Sequence, residues 1–192
     1  LLKTKLLLSL YARLKKAGKA LKIAAGELDE FTAAALKEQV LQISGDSTVQ
    51  LDKSIKQVKK SILELIKSSS DLHKVYQLAT SVIGVGPIIG AHLLVVTNGF
   101  QSFQNGRQFA CYTGLAPFEH SSGSSTRQPD KVSHLANKKL KALLSNGAAS
   151  AIQHDPQLKA YYQRKIAEGK NKFLAQNNVK NKLVHRIFAV VK

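Results

Sequence analysis

Methionine and tryptophan are absent from this 192-residue sequence, and cysteine occurs once. A single cysteine, Cys111, excludes a disulfide framework and a cysteine-cluster metal site, and it fits the reducing cytoplasm. No apolar run is long enough to cross a bilayer. The leucines near the N-terminus are interrupted by Lys3 and Lys5, unlike the apolar segment of a signal peptide. We therefore expect a cytoplasmic protein with no membrane partner, and a segment of a longer chain because no methionine starts it.

Acidic residues are also scarce, since 12 Asp and Glu stand against 29 Lys and Arg and give a formal net charge of +17. The excess is strongest over residues 120–192, where 14 basic residues accompany three acidic ones. Such a surface favours a polyanionic partner, and nucleic acid is the usual one. The alternative is a generally basic protein without a specific partner. Residues 76–119 are almost uncharged, which indicates a buried segment.

The first third of the chain predicts long helices with apolar residues at alternating spacings of three and four. The first such seam consists of Leu7, Leu10, Leu14, Ala17, Leu21, Ala24, Leu28, Phe31 and Ala35. After a predicted break at 44–47, the second consists of Leu51, Ile55, Val58, Ile62, Leu65, Ser69, Leu72 and Tyr76. This pattern predicts a coiled-coil helical hairpin that pairs with a second copy of the chain, and the alternative is an ordinary packing face.

The sequence divides into a coiled-coil segment, 1–74, and a compact α-rich domain, 75–192, so the predicted fold class is mainly α. Between two apolar stretches lies Ile83-Gly-Val-Gly-Pro87, which resembles the turn of a helix-hairpin-helix element. Glycines allow such a turn to approach a phosphate, and free N–H groups at the next helix N-terminus point towards it. The alternative is a turn that simply connects two buried segments.

Aromatic residues concentrate in 100–115 and predict core packing, with a strand-like piece at 109–115. Helices are predicted over 135–152 with Ser133 as N-cap, from Pro156 to Gly169, and over 173–191. The six histidines show no metal-ligand spacing and are expected mostly on surfaces.

A polar loop follows Pro117, and serine fills four of the five positions from 121 to 125. The cations that follow it are Arg127, Lys131, Lys138, Lys139 and Lys141. A serine nucleophile that attacks phosphate needs an exposed loop and cations that stabilise the transition state. The residues thus permit phosphoryl chemistry, but a serine-rich linker with no chemistry fits the pattern as well.

Several motifs together resemble the C-terminal transposase domain of the DEDD-type insertion-sequence transposases, relatives of the bacterial pilin-gene invertases. The resemblance covers about 78–192. The matching elements are Ile83–Pro87, Phe103, Ala110-Cys-Tyr-Thr-Gly-Leu-Ala-Pro117, Ser121-Ser-Gly123, Val132-Ser-His-Leu-Ala-Asn137 and Leu140.

The resemblance implies that Ser122, immediately before Gly123, is a nucleophile that becomes covalently linked to a DNA phosphate. It implies a preceding resolvase-like domain with four acids that bind Mg²⁺, so neither a metal nor another cofactor is expected in this segment. It further implies a DNA partner, an element-encoded guide RNA in many members, and active sites assembled between subunits. The expected nucleic-acid-binding residues are Gly84, Val85, Gly86, Ser121, Gly123, Arg127, Lys131, Asn137, Lys138, Lys139 and Lys141.

One residue departs from the family pattern, because His134 stands where a lysine is common. Two functions remain open for this chain. The first is the recombinase segment of a bacterial transposase, inactive without its metal-binding domain. The second is a non-enzymatic nucleic-acid-binding module in which the serines form a linker.

Overall fold

A computed structural model describes residues 1–26, 34–117, 121–122, 126–127 and 132–192, and this part of the chain is overwhelmingly helical. The predicted mainly α fold is confirmed. The helices are α1 (Leu2–Gly26), α2 (Ala34–Lys67), α3 (Ser70–Ser81), α4 (Pro87–Val96), α5 (Gly106–Tyr112), α6 (Lys138–His154), α7 (Pro156–Ala167) and α8 (Lys172–Val191). Strands β1 (Ser121–Ser122) and β2 (Thr126–Arg127) pair antiparallel. Within the described part, no helix combines the length and apolarity needed to span a membrane.

The chain forms two compact units, residues 1–69 and residues 70–192. The first contains α1 and α2, and the second contains the remaining elements. The sequence-based division at 74/75 lies inside α3. Dimerisation by the first unit stays a prediction.

Helices α1 and α2 of the first unit pack against each other, and their core combines residues from both. Ile55, Ile62 and Ile66 of α2 are buried, as is Leu8 of α1. The α2 seam is thus confirmed at Ile55 and Ile62, but near its end the buried residue is Ile66 and not the predicted Leu65. The α1 seam is wrong at Leu10, which is 43% exposed, because the buried face of α1 is displaced towards Leu8. Leu28 and Phe31 lie outside the described residues.

The predicted break at 44–47 is wrong, because α2 runs through it without interruption. The Thr48 hydroxyl donates a hydrogen bond to the Ser44 carbonyl at 2.8 Å, one helical turn earlier. Gly45 has open space around its Cα, so it costs only its ordinary propensity of about 1 kcal/mol. Once a helix is nucleated, each further residue adds a hydrogen bond, so this 34-residue helix continues through one glycine.

Helix α8 is central to the second unit and packs against α3, α5, α6 and α7. Its buried residues fall in two adjacent rows spaced by four, which is the width of a core-facing helix stripe. They are Ala175, Val179, Lys180, Leu183, Val184, Ile187 and Phe188. Phe100 and Phe109 are buried and pack edge-on or tilted against Phe188, with centroid distances of 5.2 and 5.4 Å. The predicted aromatic core is confirmed at these two residues.

Two local predictions in this unit are wrong. The predicted strand-like piece at 109–115 begins inside helix α5, which the Asn105 side chain caps by accepting from the Gln108 N–H at 3.0 Å. The N-cap of α6 is Asn137, which accepts from the Leu140 N–H at 3.0 Å. Ser133 instead accepts from the Leu135 N–H in the preceding turn. Asparagine caps both α5 and α6, and asparagine is about as favourable as serine at an N-cap.

Asp155 joins three helices of the second unit. Its carboxylate caps α7 by accepting from the Leu158 N–H at 2.9 Å, as the sequence predicts for a helix that starts at Pro156. The same carboxylate accepts from Arg186 Nη1 of α8 at 2.5 Å. Because Asp155 is buried, the ion pair is partly shielded from water and holds α8 against the α6–α7 junction.

We expect Asp155→Ala to lower the free energy of unfolding of the second unit by about 2 kcal/mol. The substitution removes an N-cap and leaves a half-buried guanidinium without its carboxylate. Urea denaturation followed by circular dichroism measures the change. Glu168→Ala is the control, because that exposed carboxylate also pairs with a cation, Lys165, but in solvent. Equal stability of the two variants would contradict this role.

Candidate nucleic-acid interface

The candidate site is built around a tight turn at Gly114. This residue has φ +69, and a Cβ there would lie 2.7 Å from the Ala136 Cβ and 3.0 Å from the Val132 Cγ1. Glycine is therefore required both by the left-handed backbone and by the close approach of the 132–136 segment. The Gly114 carbonyl accepts a hydrogen bond from Lys141 Nζ of α6 at 2.7 Å.

The residues after Gly114 are fixed by three further bonds. The Leu115 carbonyl accepts from Asn177 Nδ2 of α8 at 3.0 Å, and its N–H donates to the Ala110 carbonyl at 2.8 Å. The thiol of Cys111 donates to the Pro117 carbonyl at 3.5 Å. We call Gly114–Pro117 the anchored turn, because side chains of α5, α6 and α8 all hold its carbonyls.

The serine segment begins and ends at the anchored turn. Ser122 is five residue steps beyond Pro117, so their Cα atoms lie within roughly 18 Å of each other. On the return side, Val132 contacts Gly114. Between these two fixed points, Ser121 and Ser122 pair with Arg127 and Thr126 respectively. A serine segment thus leaves and re-enters the unit at one place, beside Lys141.

Two residues expected at the site, Gly123 and Lys131, lie outside the described part of the chain. Of the other cations, Lys138 and Lys139 are exposed on the first turn of α6. Asn137 both caps α6 and donates to the Tyr112 hydroxyl at 3.1 Å. His134, which replaces the family's common lysine, is exposed just before α6.

A second lysine, Lys180 of α8, lies near Lys141 and was missed by sequence reasoning. It is only 7% exposed, and its Nζ donates to Ser145 Oγ at 3.3 Å. Burial lowers its pKa, and the positive charge of Lys141 lowers it further. The signal that reveals it is its register, since Lys180 lies in the same row of α8 as Val184 and Phe188.

His92 of α4 is another buried ionisable residue, and the sequence analysis did not single it out. Burial, with a smaller contribution from the charge of Lys139, lowers its pKa from 6.5 to about 4. The folded protein therefore holds a neutral imidazole at pH 7.

The turn at Gly84–Gly86 connects α3 and α4, and its two glycines have different roles. A Cβ at Gly84, φ +98, would lie 2.5 Å from the Gly147 carbonyl oxygen of α6. The Val85 side chain is buried and its N–H donates to the Val82 carbonyl at 2.9 Å. Gly86, in contrast, faces open space at the N-terminus of α4. Gly84 is thus explained by helix packing, and Gly86 is the position with space for a phosphate.

Among the described residues, no group of three or more His, Cys, Asp or Glu side chains could hold a metal ion. The arrangement is instead rich in hydrogen-bond donors and cations, which suits the binding of an anion.

Comparison with known proteins relates the chain to proteins of mobile DNA elements. Residues 76–163, which include the anchored turn and Ser122, match the Transposase IS116/IS110/IS902 family. The pilin gene-inverting protein of Moraxella lacunata is 28% identical over 159 residues, which cover 82% of this chain and 49% of that protein. The IS110 uncharacterized 43.6 kDa protein of Streptomyces coelicolor is 27% identical over 166 residues, 82% of this chain and 41% of that protein.

These matches show that the chain is similar to proteins of insertion elements. A probable family 20 transposase of Pseudomonas aeruginosa is 25% identical over 115 residues, 60% of this chain and 32% of that protein. The chain spans about half the length, or less, of the curated relatives it matches. Helix α8 and Lys180 lie beyond the segment that matches the family.

We expect Gly84→Ala to destabilise the second unit by about 2 kcal/mol or more, because alanine adds both backbone strain and a clash with α6. Gly86→Ala is the matched control, since its extended backbone and open surroundings accept a methyl group. Thermal denaturation of both variants measures the difference. An equal loss in the two would show that packing against Gly147 does not explain Gly84.

The pKa of His92 predicts a loss of stability in acid. The imidazole is neutral in the folded state and has an ordinary pKa of 6.5 when unfolded, so the unfolded state binds more protons between pH 6.5 and 4. The free energy of unfolding is therefore unaffected by His92 well above pH 6.5, and it falls by about 2 kcal/mol by pH 5.

His92→Leu should flatten this pH dependence, whereas His154→Gln, at an exposed position, should retain it. Urea denaturation at pH 5, 6 and 7 measures both slopes. Parallel slopes for His92→Leu and the unaltered chain would refute the assignment.

Proposed function

We propose that this chain is the DNA-binding and strand-exchanging segment of a bacterial insertion-sequence transposase, and that Ser122 is its nucleophile. The observation that carries the proposal is the anchored turn. It returns both ends of the serine segment to one point beside Lys141, inside the stretch that matches transposases. A serine-rich linker with no chemical role would not need both of its ends to be held at one point.

In the proposed reaction, the Ser122 oxygen attacks a backbone phosphorus of DNA. A serine–phosphate ester forms while the bond from phosphorus to one sugar oxygen breaks. The hydroxyl proton leaves the serine, and the departing sugar oxygen takes up a proton. Attack by a sugar hydroxyl of another strand reverses these changes, joins the strands and regenerates the serine. The number of phosphoester bonds is conserved, so no external energy source is needed.

Negative charge accumulates on the phosphoryl oxygens during each step, and nearby cations stabilise it. Lys141 is held close to the base of the serine segment, and the exposed Lys138 and Lys139 follow on the same helix. Arg127, which pairs with Ser121, is next to the nucleophile in the hairpin. Phosphate contacts of this kind position DNA but carry no sequence information. Target choice is assigned in this proposal to an element-encoded guide RNA.

The described residues contain no acid cluster suited to Mg²⁺, and no step of the proposed reaction passes through a metal in this chain. We assign Mg²⁺, which neutralises charge on phosphate oxygens, to a resolvase-like domain of the complete transposase. This segment alone is then expected to bind DNA without cutting it. The α1–α2 unit is proposed to pair two copies of the protein in the bacterial cytoplasm.

We expect Ser122→Ala in the complete transposase to abolish covalent protein–DNA complexes and strand exchange while leaving DNA affinity within about twofold. The side chain supplies the attacking oxygen but little binding energy, because a neutral hydrogen bond contributes only about 1 kcal/mol. Denaturing gel electrophoresis of labelled element-end DNA detects the covalent complex, and fluorescence anisotropy measures affinity.

Ser121→Ala, one residue earlier on the same strand, is the matched control and should retain the covalent complex. Retained strand exchange in Ser122→Ala would remove this residue from the mechanism. DNA binding without a covalent complex in the unaltered complete protein would favour the non-enzymatic module.

A further inference from the structure

Lys180 is a charged side chain in an apolar row of α8. The residues one and two turns further along that row, Val184 and Phe188, are buried core residues. Transfer of an ammonium group from water into such surroundings is costly unless an opposite charge accompanies it. The single hydrogen bond of Lys180, to the neutral Ser145 hydroxyl, does not provide one.

The side chains around Lys180 are hydrogen-bond donors and a second cation, and none of those described carries a negative charge. Lys141 lies one turn before Ser145 on α6, and its charge is close enough to lower the pKa of Lys180. Gln176 donates to the Ser145 carbonyl at 3.4 Å, and Asn177 donates to the Leu115 carbonyl at 3.0 Å. Two ammonium groups and two amides therefore converge where α6 and α8 meet the anchored turn.

No carboxylate among the described residues pairs with Lys141 or Lys180. Among the described acids, Asp155 pairs with Arg186 and Glu168 pairs with Lys165. Mutual repulsion of the two lysines raises the cost of keeping both charged. A pair of like charges for which the described residues supply no counter-ion indicates a bound anion in the functional state.

We propose that Lys180 and Lys141 form a two-lysine pocket that receives a backbone phosphate of DNA beside the start of the serine segment. This inference rests on the proposed function and extends it to a residue outside the family-matched stretch. A phosphodiester fits because its two free oxygens can each accept from one ammonium group. Lys180 would act as a positioning residue, holding the DNA strand near Ser122 without touching the reacting atoms.

Removal of Lys180 should therefore have opposite effects on stability and on binding. Lys180→Met keeps the length of the side chain and removes a buried cation with no partner, so the unfolding free energy should stay equal or rise. DNA affinity should fall at least about tenfold, because a desolvated charge contact to phosphate is lost. A lysine needed only for the fold would show the reverse, with a loss of stability and little change in affinity.

The experiment measures duplex-DNA binding by the 192-residue chain with fluorescence anisotropy at several salt concentrations, and stability with urea. Lys182→Met is the matched control on the same helix, because its ammonium is exposed and lies 4.5 Å from the Tyr161 ring centre. It should lose less than about threefold in affinity. Lys180→Met should also lower the slope of log affinity against log salt by about 0.9, as expected for one phosphate contact.

A second measurement applies whether or not Lys180→Met folds. The NMR signal of the Lys180 side chain, followed against pH, should show a pKa below 10.5 in the free chain and a higher pKa with duplex DNA bound. An unchanged pKa with DNA, or equal affinities of Lys180→Met and Lys182→Met, would overturn the two-lysine pocket. So would a response to inorganic phosphate but not to DNA. Failure of the unaltered chain to bind any DNA would instead overturn the proposed function.

Discussion

The carbonyl groups of Gly114 and Leu115 are the point on which the candidate site depends, because each accepts a hydrogen bond from a different helix. Lys141 reaches one from α6, and Asn177 reaches the other from α8. These bonds fix a loop that would otherwise be free at both ends. Because Val132 packs on Gly114, the fixed point holds the entry and the exit of the serine segment together. A nucleophile on a segment of limited reach can be positioned without an extended scaffold of its own.

The lysines beside the anchored turn are unfavourable for the stability of the fold. Lys141 and Lys180 are half-buried and buried cations on neighbouring helices, and the described residues supply no carboxylate to either. Burial of like charges disfavours the folded state unless a bound anion compensates. A helix position that faces the core, as that of Lys180 does, is normally occupied by an apolar residue. A charge at this position fits the proposed anion site, and functional sites commonly sacrifice some stability.

Sequence periodicity predicted the helical class and much of the second unit because its signals are local. Pro156 after a capping aspartate and a terminal glycine at Gly169 define α7 without reference to the rest of the fold. Gly45 suggested a break, but α2 continues through it. Other features depended on contacts distant in the sequence. Gly84 suggested a phosphate turn, whereas its nearest neighbour is Gly147, which no local pattern links to it.

The residues of the candidate site also fall into those that the sequence indicated and those that only the fold revealed. A motif that resembles a known family pointed to Ser122 and to the lysines of α6, whereas His92 and Lys180 required knowledge of which faces are buried. Lys180 in particular looks like an ordinary surface lysine until its row on α8 is known to face the core. Burial, rather than residue type, is what separates it from the exposed lysines around it.

Hydrogen exchange of the 192-residue chain, measured by mass spectrometry with and without duplex DNA, tests most directly whether the anchored turn is where DNA binds. The account predicts slower exchange in DNA at residues 110–117, 137–145 and 176–181, which form the turn and the helix segments that hold it. Protection confined to residues 1–69, with no change in these three segments, would contradict it.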